Sequence, residues 1–294
     1  MNAIRRLHLW SIALALAIAA VPLHADSRLK VVASFSILGD FVRNVGGDRV
    51  VVTTLVGANG DVHVFAPAPV DAKKVADARL LVINGLGLEG WLPRLLQASA
   101  SKAKVVIATK GIVPLKVGSE LDPHAWQSVD DAKIYVKNIR DALSKADPAD
   151  ADRFRKNATQ YLARLDALDQ EVRQAIAHIP PERRKVISTH DAFGYFARDY
   201  GIDFIAPLGV STDTEPSARD IAAIITQIKK DKIPAVFLEN VTNNRLMRRI
   251  SEETGAKVGG TLYSDSLTGE KGAAPTYIAL VKANIRALTK ALDH

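Results

Sequence analysis

The 294-residue chain contains no cysteine. Disulfide staples and thiolate metal ligands are therefore excluded. No basic run is interleaved with aromatics, so the sequence offers no nucleic-acid surface. Neither His-Glu-x-x-His nor Gly-x-Ser-x-Gly occurs, which removes the usual signatures of a helical zinc protease and of a serine hydrolase. Glycine and proline are missing from Ala149 to Ile179, an interval long enough for one uninterrupted helix.

What is present begins with Arg5 and Arg6, followed by an apolar run from Leu7 to Pro22 that only His8 and Ser11 interrupt. Leu23-His24-Ala25 then offers a small residue before Asp26. The pattern predicts a signal peptide over residues 1–25, cleaved near Ala25, and a protein that works in the periplasm. The run is short for a retained span of about 20 apolar residues. With no cysteine at the cut, no lipid anchor is expected. Removing Arg5 and Arg6 leaves about +5 of the formal +7, an ordinary solvated basic surface. Hydrophobic residues at 48% and charged residues at 24% match globular usage.

The remaining length exceeds what one hydrophobic core usually organises, and predicts an N-terminal α/β lobe over 26–147 and a C-terminal α/β lobe over 181–294. Short, nearly continuous apolar runs predict buried parallel strands at Lys30–Ser34, Val50–Val56, Leu80–Asn84 and Lys104–Ala108. The series repeats at Lys185–Thr189, Phe204–Leu208, Ala235–Glu239 and Lys257–Leu262. A faint repeat at an offset of 155 residues pairs Phe41-Val42-Arg43 with Phe196-Ala197-Arg198, Gly46 with Gly201, and Leu81-Val82-Ile83-Asn84 with Val236-Phe237-Leu238-Glu239. Between the lobes, residues 148–180 predict one long, rigid connecting helix. Phe154, Ala158, Tyr161, Leu165, Leu168, Val172 and Ile176 recur at spacings of three and four. Such a strut resists hinge closure, so capture of a ligand is expected to reorder loops rather than swing lobes. No coiled-coil seam is expected, and the protein should be a monomer.

Three histidines occupy marked loop segments: His63 in Gly60-Asp61-Val62-His63, His124 in Asp122-Pro123-His124, and His190 in Ser188-Thr189-His190-Asp191. Asp265, in Tyr263-Ser264-Asp265-Ser266, completes a possible four-ligand set. Each follows a strand or opens a helix, and ligands at the carboxyl ends of parallel strands collect in the cleft between lobes. Three imidazoles and a carboxylate suit a closed tetrahedral zinc site. Because only neutral imidazole binds a metal, occupancy is expected to fall below about pH 6.5. His8 and His24 leave with the leader, His178 suits a helix carboxyl end, and His294 is the last residue. Asp61 and Asp191 are expected to cap turns beside the ligands.

Longer segments around the four positions resemble the ligand motifs of the zinc and manganese solute-binding proteins of ABC importers. They are Gly60-Asp61-Val62-His63-Val64-Phe65-Ala66-Pro67-Ala68-Pro69, Leu121-Asp122-Pro123-His124-Ala125-Trp126, Ser188-Thr189-His190-Asp191-Ala192-Phe193-Gly194-Tyr195-Phe196 and Leu262-Tyr263-Ser264-Asp265-Ser266-Leu267. Thr214-Glu215-Pro216-Ser217 and Ala274-Pro275-Thr276-Tyr277 extend the match. The resemblance implies two α/β lobes on one long helix, a metal held by His63, His124, His190 and Asp265, and delivery to a membrane permease. It also favours zinc, because the manganese and iron branch usually has glutamate where this chain has His190; manganese is the alternative. Two departures stand out. Gly111 to Glu120 is short and lacks the histidine-rich loop of many zinc members, which implies a separate metal donor. Ala66 stands where many members have glutamate.

Two rival readings have recognisable tests. An exported zinc hydrolase would use Asp265 as base beside an open three-histidine zinc, whereas a binding protein shows no turnover. Gly85-Leu86-Gly87-Leu88-Glu89-Gly90 matches the dinucleotide-binding spacing, but no acidic residue lies between Glu89 and Glu120 to hold a ribose. No enzyme activity and no nucleotide are expected; the glycines serve a tight turn.

Overall fold

The computed structural model describes residues 28–293. The leader assigned to 1–25 and His294 lie outside the described residues. The first half runs β1 (Leu29–Phe35), α1 (Ser36–Gly46), β2 (Val50–Val56), α2 (Pro69–Ala76), β3 (Leu80–Ile83), α3 (Leu92–Ser99) and β4 (Lys104–Ile107). β1 pairs in parallel with both β2 and β3, and β3 with β4, in the order β2-β1-β3-β4. β3 is buried at every residue and β1 over Val31–Phe35, as runs without polar alternation require. α1 rides tightly on β2: a Cβ added at Gly39 would lie 2.4 Å from the Thr54 methyl, so only glycine permits this approach.

A two-stranded hairpin of β5 (Lys116–Val117) and β6 (Glu120–Leu121) leads into α4 (Val129–Ala146), whose N-cap Ser128 accepts from Asp131 N. The long helix follows as α5 (Ala151–Ala177), 27 residues and about 40 Å at 1.5 Å per residue. Pro148–Asp150 forms a 3-10 turn before it rather than its first turn. Every residue of the anticipated apolar stripe, from Phe154 to Ile176, is buried.

The second half contains β7 (Lys185–Ile187), α6 (Gly194–Tyr200), β8 (Asp203–Ile205), α7 (Ala218–Asp231), β9 (Ala235–Glu239), α8 (Arg245–Thr254), β10 (Lys257–Leu262) and α9 (Tyr277–Leu292). Its parallel sheet has the order β10-β9-β7-β8. Read from the other edge, that order is β8-β7-β9-β10. The 155-residue offset lays β1 on β7, β2 on β8, β3 on β9 and β4 on β10, so both sheets share one topology. The α/β architecture with two parallel sheets and a long helix follows the expectation.

β9 shows how the second sheet is covered. Ala235 and Phe237 face the main core, whereas Val236 and Leu238 join Ile224, Ile228, Met247 and Ile250 of α7 and α8 in a second cluster. The main core itself is continuous from the first sheet through α4, α5 and α9 to β7, β9 and β10. α9 lies against α1 and α5. Phe41 and Tyr277 meet at 4.8 Å between ring centroids, Tyr277 N donates to Asp40 Oδ2 at 3.0 Å, and Tyr277 Oη donates to Trp126 O at 2.6 Å.

Candidate metal centre

The four loops predicted to carry ligands converge. One nitrogen or oxygen from each of His63, His124, His190 and Asp265 lies within 4.8 Å of the others, and no other such cluster occurs among the described residues. His63 Nε2 is 3.2 Å from His124 Nε2 and 3.3 Å from Asp265 Oδ2. His190 Nε2 is 3.1 Å from Asp265 Oδ2, and His124 Nε2 is 3.7 Å from Asp265 Oδ1. A tetrahedron with metal bonds of 2.0 to 2.1 Å has edges of about 3.3 Å, which these separations bracket. His124, His190 and Asp265 are fully buried, and His63 nearly so in its side chain.

These tips have few partners except one another. Both Asp265 oxygens and His190 Nε2 are buried without an aligned hydrogen bond. Groups left this way are costly unless a cation joins them. Burial opposes a charge on His190, but Glu239 and Asp265 outweigh it and hold the imidazole well above its ordinary range. Burial likewise works against the Asp265 carboxylate, yet His190 and His124 keep it well below the usual carboxylate range. The cluster is thus organised to hold positive charge.

Local structure aims each ligand. His63 follows β2 in a turn where Asp61 Oδ1 accepts from His63 N at 2.9 Å, the capping role expected of Asp61. Asp61 Oδ2 also accepts from Thr212 Oγ1 at 2.7 Å, and Trp91 Nε1 donates to Val62 O at 2.8 Å. His124 is held by Asp122, whose Oδ1 accepts from His124 N at 2.9 Å and lies 2.8 Å from its Nδ1. Asp122 Oδ2 approaches α6 so closely that a Cβ at Gly194 would lie 2.6 Å from it. Tyr195 Oη donates to Asp122 O at 2.8 Å, which ties the third motif to the second. Asp265 sits beside Ser264, whose carbonyl accepts from Trp126 Nε1 at 2.8 Å and Gln127 Nε2 at 2.7 Å. His190 stands after β7, with Nδ1 2.6 Å from Glu239 Oε2 at the end of β9.

Asp122, Glu239, Trp126 and Gln127 were not singled out as supports from sequence. Asp122 could have been found two residues before His124, and Glu239 as the lone carboxylate closing an apolar strand. Asp191 departs from expectation. No side-chain cap is formed by it; instead its N–H donates to Gly209 O at 3.1 Å. Burial, then Asp122, raises its carboxyl above the usual range. Ser217 and Thr276 of the two outer motifs are helix N-caps for α7 and α9. In the Gly85-to-Gly90 turn Glu89 turns back and accepts from Asn84 N at 2.7 Å and Gly85 N at 3.1 Å, so its own carboxylate satisfies those donors.

Comparison with known proteins places these features. Residues 31–291 match the family model of the zinc-uptake complex component A, periplasmic. The iron-binding protein YfeA of Yersinia pestis is 35% identical over 274 residues, 92% of this chain and 88% of that protein. The periplasmic zinc-binding protein TROA of Treponema pallidum superposes with a TM-score of 0.87 at 30% identity, covering 91% of this chain and all of the other. The Mn-bound periplasmic metal-binding protein of Candidatus Liberibacter asiaticus gives 0.82 at 33% identity, covering 90% and 100%.

Proposed function

The chain belongs to the family of metal-binding solute-binding proteins of ABC importers, and on that premise we propose that it captures one divalent transition-metal ion through His63, His124, His190 and Asp265 in the periplasm and delivers it to a membrane permease. Members of this family are binding proteins, not enzymes. The observation that carries the ligand assignment is the meeting of four side chains from four separate loops, with one nitrogen or oxygen from each within 4.8 Å of the others.

Zinc is the favoured ion. Three neutral nitrogens and one carboxylate are softer than an oxygen-rich site, and zinc lies above manganese in intrinsic affinity for such donors. Manganese is the second reading, supported by relatives named as manganese-binding lipoproteins and by a similar Mn-bound structure. Elemental analysis of protein purified from its own export compartment decides between them. Titration of chelator-stripped protein should give one zinc per chain. His190→Ala should weaken zinc at least tenfold, and unchanged affinity would remove His190 from the ligand set. Failure to bind zinc, manganese and cobalt alike sinks the metal reading. Because Gly111–Glu120 carries no histidine, the ion reaches this chain from a separate donor protein rather than through a scavenging loop of its own.

A further inference from the structure

Glu239 closes β9, a strand otherwise made of Ala, Val, Phe and Leu, and is fully buried. A buried carboxylate requires compensation. Oε1 receives two backbone donors, Thr189 N at 2.8 Å and His190 N at 3.1 Å. Oε2 lies 2.6 Å from His190 Nδ1, an ion-pair approach in which neither atom makes an aligned hydrogen bond, and no lysine or arginine among the described residues pairs with it. The whole carboxylate is therefore committed to one ligand-bearing loop.

The repeat places Asn84 at the equivalent strand end. Asn84 also braces a ligand loop: its Nδ2 donates to Pro123 O at 2.9 Å, immediately before His124, while its Oδ1 accepts from Tyr135 Oη at 2.6 Å. One position thus performs the same task in both halves, neutrally in the first and with a charge in the second.

We propose that Glu239 is a positioning residue that turns His190 so that Nε2 faces the metal, and that its charge, one imidazole ring away, supports manganese more than zinc. A carboxylate behind a ligating imidazole fixes the ring and raises its donor strength. Manganese is the harder and intrinsically weaker ion, so it depends more on nearby anionic charge than zinc does. The proposal rests on the metal reading of the four-residue cluster.

Glu239→Gln keeps the shape and removes the charge, and Glu239 N still donates to Asn244 Oδ1 at 3.1 Å. Zinc and manganese affinities of wild type and variant are measured by chelator competition, with thermal unfolding of each metal-free protein. The expected result is a loss of about ten- to a hundredfold, larger for manganese than for zinc, with an unchanged metal-free Tm. Equal losses for the two ions, or affinities within about twofold of wild type, overturn the proposal. A second measurement needs neither the variant nor metal. In metal-free wild type, long-range proton–nitrogen correlation should show a strongly downfield Nδ1 proton on His190, and its absence overturns the contact. A wild type that binds no metal would defeat the metal reading, while this proton would still decide whether Glu239 holds the ring.

Discussion

Gly194→Ala tests whether the ligand loops are locked to one another. The added Cβ would stand 2.6 Å from Asp122 Oδ2, well inside van der Waals contact. Asp122 has little freedom to retreat: Oδ1 serves His124 through its backbone N–H and Nδ1, and its carbonyl receives Tyr195 Oη, from the residue next to Gly194. Relief requires either a shift of the start of α6 or rotation of the carboxylate away from His124. Overpacking of this kind costs about 1 to 3 kcal/mol. For a chain of this size each kcal/mol lowers Tm by about 2 to 4 °C, so a fall of about 2 to 12 °C is expected. If the carboxylate rotates, His124 also loses its orienting partner, and metal affinity should fall about tenfold or more. Differential scanning calorimetry of the metal-free protein and chelator competition with zinc measure the two effects. Gly90→Ala is the control, because nothing lies within 4 Å of a Cβ there. If the Gly194 variant matches that control in both Tm and zinc affinity, the loops are not coupled through Asp122.

Two further outcomes are expected. Phe154→Ala empties a fully buried position on α5 and should cost about 3 to 5 kcal/mol in urea unfolding with an unchanged slope; a loss below about 1 kcal/mol would mean that the long helix is not a core element. At Asp199, burial pushes the carboxyl up, but Arg198 and Ser128 outweigh it and hold it below its ordinary 3.8. A group depressed in this way stabilises the fold above that ordinary value and loses its contribution as pH falls through the folded one. Arg198→Met should therefore lower Tm most at pH 5 to 7 and progressively less below about pH 4, and a pH-independent difference would refute the assignment. Arg198 also stacks over Tyr195, so part of the loss persists at every pH, whereas its pair with Asp131 weakens on acidification as well.

Much of the fold was legible because apolar runs and helix periodicity are local signals. Val50–Val56, Ala235–Glu239 and Lys257–Leu262 form strands over the residues read from pattern alone. The errors at other strand ends have tertiary causes. β7 was expected to reach Thr189, but the N–H groups of Thr189 and His190 are taken by Glu239 instead of a neighbouring strand. β3 stops before Asn84 because Asn84 N donates to Glu89. β8 was placed one residue late and run on to Leu208; Pro207 has no N–H for the ladder, and only an isolated bridge joins His190 to Leu208. The four clustered residues were legible because each sits in a distinctive loop, and Asp122, two residues before His124, lay within reach of the same reading. Glu239 did not: it meets His190 only across the fold, and spacing along the chain carries no record of a partner 49 residues away.

α9 has a consequence for the order of events during synthesis. Its Tyr277 completes contacts with Asp40, Phe41 and Trp126, groups made more than a hundred residues earlier. A ribosome delivers the amino end first, so Asp40 and Phe41 of α1 and Trp126 wait without this partner until α9 has emerged. Burial of this seam is thereby among the last steps of folding that synthesis permits.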